Sequence, residues 1–181
     1  MQAASECPSA LSGKGSYILE RRAGSQQQVS YDETPIIHTS LQSGGRTLLE
    51  TTTYQGLFEL SRTDRGISIE QKPINDLAKF FPLKPKPTIS ADFEVTMNGG
   101  TKAKTVKLQY VGDQDYAMGE CTYHVLKLRR TDSLPIIYDN IDYYAPDLRF
   151  VVAKEYRDDT GRTTIVGYTK ISSGKRASTE H

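Results

Sequence analysis

The sequence predicts a mainly β fold: a curved antiparallel meander, forming a half-barrel or open barrel, wrapped on one short helix. Three observations predict it, namely strict two-residue alternation, short turns between the alternating segments, and abundant Tyr and Thr. Tyr and Thr suit a pleated, half-buried surface. The chain has 181 residues, a length that fits one domain with its own core.

The clearest alternation lies in the middle of the chain. Apolar Ile89, Ala91, Phe93, Val95 and Met97 share one face of a strand, and polar Ser90, Asp92, Glu94 and Thr96 share the other. Asn98-Gly99-Gly100 is a strong hairpin signal, and the alternation resumes over residues 106–110. The same criteria predict further strands over residues 16–21, 29–32, 36–41, 46–54, 57–61, 67–70, 121–130, 134–144, 148–157 and 163–171.

One segment has a helical pattern instead. Ile74, Leu77, Ala78 and Phe81 recur at helical spacing between Pro73 and Pro82. The pattern predicts a helix over residues 74–81 of about two turns, bounded by the prolines. A helix this short is unstable alone in water, so it must pack on the sheet.

These elements divide the chain into three parts. Residues 1–15 are predicted to form a flexible N-terminal segment, residues 16–171 a single β-rich domain, and residues 172–181 a polar, disordered tail.

Composition limits the classes of partner. The formal net charge is +1, with 25% charged residues, so nucleic acid is not expected, since phosphate binding needs clustered, uncompensated Lys and Arg. Arg21-Arg22 and Arg129-Arg130 each have acidic neighbours and are interpreted as solvated strand edges. No stretch reaches the roughly 18–20 apolar residues of a transmembrane helix.

The first residues and the cysteines bear on compartment. Residues 1–8 have neither the charged nor the apolar region of a signal peptide. Either the protein is cytoplasmic, or it is a mature exported form with an added Met1; we favour a periplasmic or secreted protein. Cys7 and Cys121 then form one disulfide closing a long loop, worth on the order of 4–5 kcal/mol. The alternative is two unpaired thiols, with Cys121 packing as a small hydrophobe.

Two motifs carry a resemblance to a family. Phe81-Pro82-Leu83-Lys84 leads into a long strand, and Tyr143-Tyr144-Ala145-Pro146-Asp147-Leu148 forms an aromatic corner before the next strand. Across residues 80–170 the chain resembles exported bacterial proteins of unknown function whose half-barrel relates to periplasmic lipoprotein carriers. It lacks the Trp that usually precedes the corner. The resemblance implies an envelope protein with a curved sheet that holds a lipid or peptide, and it supplies no catalytic residues.

No constellation predicts catalysis, a metal or a cofactor. His38 and His124 lie among apolar strand residues, and His181 lies in the tail. The pairs Asp113/Asp115 and Asp158/Asp159 are interpreted as turn residues, since they lie beside Gly without calcium-loop spacing. Gly44-Gly45 and Gly99-Gly100 lack the context of a phosphate-binding loop and are interpreted as hairpin turns.

The sequence thus favours a non-enzymatic envelope binding module with a concave, Tyr-lined surface for a lipid, another apolar ligand or a peptide. The first alternative is a structural or protein-interaction domain whose interior is plugged by its own side chains. A hydrolase-type enzyme is a distant third. The partner is an apolar small molecule, a lipid or an envelope protein, and the ligand-binding residues and oligomeric state stay open.

Overall fold

The computed structural model describes residues 6–11, 13–134 and 138–174, and within these residues the chain forms one antiparallel sheet of thirteen strands. The strands are β1 Gly15–Glu20, β2 Gln26–Tyr31, β3 Ile36–Ser43, β4 Arg46–Tyr54, β5 Phe58–Asp64, β6 Ile67–Pro73, β7 Thr88–Met97, β8 Gly100–Met118, β9 Cys121–Asp132, β10 Tyr138–Ala145, β11 Phe150–Arg157, β12 Thr163–Gly167 and β13 Lys170–Ser173. The predicted mainly β, antiparallel meander is confirmed.

The sheet is open, but its two ends lie close together. Each strand from β1 to β12 pairs with its neighbours in sequence, and β13 pairs with β1. Only Tyr168 and Thr169 separate β12 from β13. The Tyr168 N–H donates to the Val152 carbonyl at 3.1 Å, and the Thr169 N–H donates to the Glu20 carbonyl at 2.8 Å. The sheet therefore bends until both ends meet at this link, although β12 and β13 do not pair with each other.

The predicted helix over residues 74–81 is wrong. The structure has a single 3-10 turn, Leu77–Phe80. The Ile74 N–H still bonds to the Asp92 carbonyl at 2.8 Å, so the sheet contact extends past β6, and the Asp76 side chain caps the turn at Ala78. Pro82 holds Phe81 extended, which leaves room for one turn.

The buried side chains form two clusters on opposite faces of the central strands. The cluster named here the tyrosine core contains Ala10, Tyr17, Leu19, Val29, Ile37, Met118, Cys121, Tyr123, Val125, Tyr143, Ala145, Leu148, Val152, Ala153 and Tyr168. The cluster named here the phenylalanine core contains Leu57, Phe58, Leu77, Ile89, Ala91, Phe93, Val106, Leu108, Leu128 and Tyr144. Adjacent Tyr143 and Tyr144 belong to different cores, and neighbours along a strand point to opposite faces. The predicted one-sided burial thus holds for β7 but not for β10.

Strand β8 is much longer than the sequence predicts. It runs for 19 residues, and a bulge between Tyr110 and Gly112 shifts its pairing with β9. Such a bulge bends a strand and changes which side chains face the core. Before the bulge, Val106 and Leu108 enter the phenylalanine core, whereas Met118 enters the tyrosine core.

The N-terminal segment is tied to the tyrosine core. Cys7 and Cys121 form a disulfide across a separation of 114 residues, which confirms the predicted bond. The Tyr123 hydroxyl donates to the Pro8 carbonyl at 2.8 Å, and the Ala10 N–H donates to the Asp147 carbonyl at 2.7 Å.

At the other end of the chain, residues 172 and 173 belong to β13, while residues 1–5 and 175–181, including His181, lie outside the described part.

Candidate functional site

A groove of about 400 Å³ lies along strands β2–β5, and His38 in its lining points to the face opposite that of buried Ile37. Its lining consists of hydroxyl, amide, imidazole and carboxylate side chains: Gln28, Ser30, His38, Thr39, Ser40, Glu50, Thr51, Thr52, Ser61 and Thr63. We call it the hydroxyl groove. The lining has no aromatic or aliphatic residue, so the groove differs from the Tyr-lined, apolar concavity that the sequence predicts.

The strand register arranges the lining in two cross-strand rows. In the first row Ser30 faces His38, His38 faces Thr52, and Thr52 faces Ser61. In the second row Gln28 faces Ser40, Ser40 faces Glu50, and Glu50 faces Thr63. Neighbouring strands lie about 4.8 Å apart, so each row presents regularly spaced polar groups.

His38 and the threonines are held by local hydrogen bonds. The Thr52 hydroxyl lies 3.2 Å from His38 Nδ1. Thr39, which is buried, shares a hydrogen bond with Thr51 between their hydroxyls. The Thr52 hydroxyl and the His38 imidazole are thus partly preorganised in the groove, whereas successive residues along a strand point to opposite faces, so the Thr39–Thr51 pair lies on the other face of these strands.

Among the described residues, no ion pair joins His38 of the groove to a carboxylate. The histidine that pairs with carboxylates in the described residues is His124, not His38, so His38 lacks the orienting acid that such a dyad needs. Within residues 6–11, 13–134 and 138–174, no group of three or more His, Cys, Asp or Glu side chains is arranged to hold a metal ion. The hydroxyl, amide and imidazole groups of the lining can form hydrogen bonds with a ligand.

A second polar cluster surrounds His124 at the β8–β9 hairpin. His124 Nε2 lies 3.1 Å from Asp113 Oδ2, and Nδ1 lies 3.6 Å from Asp115 Oδ1. The Tyr110 hydroxyl donates to Asp113 at 2.5 Å. The prediction that Asp113 and Asp115 lie in a turn is wrong, because both belong to β8 and Asp115 pairs with His124. The side chains of His124, Asp113 and Asp115 are about half exposed or more.

A third polar group is buried beside the phenylalanine core. Arg130 contacts Asp132 at 2.9 Å and Asp142 at 3.6 Å, and it donates to the Leu57 carbonyl at 3.1 Å. Burial works against the charge of Arg130, but Asp142 and Asp132 outweigh it, so the pKa of the guanidinium is raised. Lys104 lies 3.4 Å from Asp132.

Asp142 is fully buried in this network. Asn140 Nδ2 donates to its Oδ1 at 2.6 Å. We call the set of Lys104, Arg130, Asp132, Asn140 and Asp142 the buried ion network. The formal charges of the two cations and two carboxylates in this set balance, and Asn140 Oδ1 and Asp142 Oδ2 are buried without a hydrogen-bond partner.

The remaining candidates from the sequence have structural roles. The Asp158 carboxylate accepts hydrogen bonds from the N–H groups of Thr160 and Arg162, which confirms it as a turn residue. At the corner before β11, the Leu148 N–H bonds to the Ala145 carbonyl and the Arg149 N–H to the Pro146 carbonyl, each at 3.1 Å. Gly44, Gly45, Gly99 and Gly100 lie at the hairpins β3–β4 and β7–β8, and the first three have positive φ, as hairpin turns require.

Buried tyrosines pack the cores instead of lining a cavity. The Tyr17 hydroxyl donates to the Leu148 carbonyl at 2.7 Å, and the Tyr144 hydroxyl donates to the Gln55 carbonyl at 2.6 Å. Burial raises the pKa of Tyr123 to about 12, and burial with the Glu155 hydrogen bond raises the pKa of Tyr143 to about 12. Both hydroxyls therefore stay neutral at physiological pH.

The sequence does not single out the hydroxyl groove, although it contains a signal for it. Ser and Thr recur in β3, β4 and β5, as in Thr51-Thr52-Thr53. Such residues are also typical of any solvated strand face. Only the register, which places Ser30, His38, Thr52 and Ser61 side by side, distinguishes a groove from such a face.

Comparison with known proteins identifies no family. No protein-family model matches the chain, and no curated protein matches it. Among solved structures, the chain is similar to the hypothetical lipoprotein YmcC from Escherichia coli (K12), at 12% identity and a TM-score of 0.49. The similarity covers 92% of this chain and 86% of that chain. The geometry of this molecule therefore carries the functional conclusion.

None of the helical segments described here has the length and apolar character that crossing a membrane requires.

Proposed function

We propose that the protein is a non-enzymatic binding module of the bacterial envelope, and that its ligand is a saccharide chain held in the hydroxyl groove. The observation that carries the proposal is the composition of the groove, whose ten lining residues are all polar or charged. An apolar ligand would leave these donors and acceptors without water, which is unfavourable. A polyhydroxylated ligand can replace the water hydrogen bonds one for one.

The interior of the protein supports this choice over a lipid carrier. Tyr17, Phe58, Phe93 and Tyr143 are almost completely buried against other side chains. The rings of these four residues are therefore not exposed to a ligand. A polar ligand in the hydroxyl groove is therefore better supported than a lipid among these side chains.

The chemistry of the groove favours a neutral or weakly cationic saccharide. Glu50 is the carboxylate in the lining, and hydroxyl, amide and imidazole groups make up the rest. The cross-strand rows offer hydroxyls that act as donor or acceptor, so they match sugar hydroxyls in either direction. Location in the envelope is supported by the Cys7–Cys121 disulfide, because such bonds persist in oxidising compartments.

An array of soluble neutral and amino-sugar oligosaccharides, followed by calorimetry with each oligosaccharide retained, tests this proposal. We expect binding of at least one oligosaccharide, weakened about tenfold or more by Thr52→Val, which removes a hydroxyl from the groove and its contact with His38. Val suits a strand as well as Thr does, so the variant should fold.

Thr101→Val is the matched control, since Thr101 is an exposed strand hydroxyl that lies outside the groove. It should leave the affinity unchanged. Absence of binding across the array, or equal loss in both variants, would contradict the proposal. Recovery of a bound lipid by mass spectrometry of the purified protein would favour the apolar carrier instead.

A further inference from the structure

Strand β12 leaves one side of its backbone unpaired at the end of the sheet. It pairs with β11 and with no second strand of the described chain. Its sequence is Thr163-Thr164-Ile165-Val166-Gly167. Ile165 is 54% exposed and Val166 is 43% exposed. Protein edge strands are normally protected by Lys, Pro, a bulge or a covering segment. Strand β12 contains no Lys and no Pro, and its pairing with β11 shows no bulge.

The hydrogen bonds beside β12 show which groups face outward. The Asp158 N–H bonds to the Arg162 carbonyl at 2.9 Å, and the Tyr168 N–H bonds to the Val152 carbonyl at 3.1 Å. In an antiparallel ladder, hydrogen-bonded pairs alternate with non-bonded pairs. The register therefore assigns Thr164 and Val166 to the bonds with β11.

It follows that the backbone N–H and C=O groups of Thr163 and Ile165 point away from the sheet. These are four strong polar groups presented side by side, as a pairing strand would need them.

The opposite end of the sheet is different. Strand β13 also has one unpaired side, but it carries Lys170, Ser172 and Ser173 and no large exposed hydrophobic residue. A lysine on an edge discourages pairing with another chain. One end of the sheet is thus protected and the other, β12, is not.

We infer that β12 pairs antiparallel with β12 of a second copy of this chain, across a twofold axis at Thr164. In this register Thr163 of each copy pairs with Ile165 of the other, which forms about four backbone hydrogen bonds. Residues 163–167 carry no charge, so self-pairing brings no like charges together. An isologous contact of this kind closes as a dimer instead of extending as a fibre.

The charges at the two ends of β12 are complementary in this arrangement. Asp158 and Asp159 precede β12, whereas Arg21, Arg22 and Lys170 lie beyond its other end. The Arg21 guanidinium lies 5.0 Å from the centre of the Tyr168 ring, which fixes it there. Antiparallel pairing brings the acidic doublet of one copy toward the basic residues of the other. Arg157 and Arg162 flank the acidic doublet. The attraction between the two copies is therefore confined to the side chains that approach each other directly.

The oligomeric state, measured by sedimentation velocity over a range of concentrations, tests the inference. We expect a monomer–dimer equilibrium that Ile165→Lys shifts toward monomer by at least tenfold in dissociation constant. Val111→Lys is the matched control, since Val111 is 45% exposed but lies on β8, away from the edge. It should leave the equilibrium unchanged.

A cysteine substitution tests the register directly. Thr164 of the two copies would form a non-hydrogen-bonded pair about 4.5 Å apart between Cα atoms, within disulfide range. Thr164→Cys should therefore cross-link into a dimer under mild oxidation, and Val111→Cys should not. A monomer at all concentrations, a dimer that survives Ile165→Lys, or equal cross-linking of both cysteine variants would overturn the inference.

Discussion

The tyrosine core and the phenylalanine core share the central strands but are stabilised by different interactions. Around the tyrosine core, hydroxyl groups bond to backbone carbonyls, as Tyr17 does to Leu148 and Tyr116 to Tyr168, and a disulfide ties the N-terminal segment to it. Beside the phenylalanine core, the rings of Phe58 and Phe93 pack at 6.1 Å. The buried ion network lies next to them. The tyrosine core thus has several hydroxyl–carbonyl hydrogen bonds around it, whereas the phenylalanine core has one, from Tyr144 to Gln55, together with the buried charges.

This difference has a physical consequence. A neutral hydroxyl that bonds to a carbonyl contributes modestly to stability, whereas a buried charge becomes costly as soon as its partner is removed. The two cores should therefore respond differently to reductant, to removal of a charge and to pH.

The largest effect is expected from the disulfide. Replacing both Cys7 and Cys121 with Ser should lower the free energy of unfolding by about 4–5 kcal/mol, since the closed loop exceeds one hundred residues. Urea unfolding of this variant and of the wild-type protein, each with and without reductant, measures the loss. Hydrogen exchange should show it first in β1 and the N-terminal segment. Equal stability of the two proteins without reductant would contradict the expectation.

Removing one charge from the buried ion network should be nearly as destabilising. Arg130→Met keeps the side-chain volume but removes the guanidinium from Asp132 and from the fully buried Asp142, so that Lys104 and Lys154 are the cations left beside them, at a cost of about 3–5 kcal/mol. Arg129→Met is the control, because the Arg129–Asp139 pair is about half exposed and should contribute under about 1 kcal/mol. Urea unfolding of both variants measures the two losses of unfolding free energy. Similar losses would contradict the expectation that the buried ion network contributes more than an exposed pair.

A graded loss of stability is expected at alkaline pH. The folded pKa values of Tyr123 and Tyr143 are about 12, against an ordinary value of 10.0. Above pH 10 the unfolded chain releases these protons while the folded chain retains them, so stability is full below pH 10 and falls as the pH rises to about 12. Urea midpoints from pH 9 to pH 11, together with ultraviolet titration of tyrosinate, measure this. Tyrosines that all titrate near 10 in the folded protein would refute it.

The smallest effect should come from a single tyrosine hydroxyl. Tyr17→Phe leaves the buried Leu148 carbonyl without its partner, which should cost about 1–2 kcal/mol. Tyr110→Phe removes an exposed hydrogen bond to Asp113 and should cost less than Tyr17→Phe, since an exposed hydroxyl can exchange its partner for water. Chemical unfolding of both proteins compares them. A loss from Tyr17→Phe that is no greater than that from Tyr110→Phe would mean that the hydroxyl contributes little to the tyrosine core.

Most of the sheet could be predicted from the sequence because its signals are local. The alternation over residues 89–97 and the Asn98-Gly99 turn need only neighbouring residues, and both are confirmed by β7 and its hairpin with β8. The helix prediction failed because Ile74 follows the helical spacing but continues the hydrogen bonding of the sheet. Ile74 is also 63% exposed, so the apolar spacing did not reflect a buried face.

The second core and the groove could not be predicted in this way. The bulge at Gly112 changes the face that β8 presents, and residues 111–115 have the composition of a loop. The groove depends on which residues of β2–β5 lie side by side, as His38 and Thr52 do. Register is a property of the assembled sheet, and two bulges, between Leu41 and Gln42 and between Thr52 and Thr53, alter it.

The pairing of β13 with β1 has a consequence for the order of assembly. Every other strand pair joins sequence neighbours, whereas Tyr17 pairs with Ser173 across most of the chain. Local hairpins close at little entropic cost, but a contact of such long range is favourable only after the intervening segments have compacted. The ladder between these two strands should therefore be the last to gain protection from hydrogen exchange during refolding. It would join the two ends of a sheet whose other strand pairs have already formed.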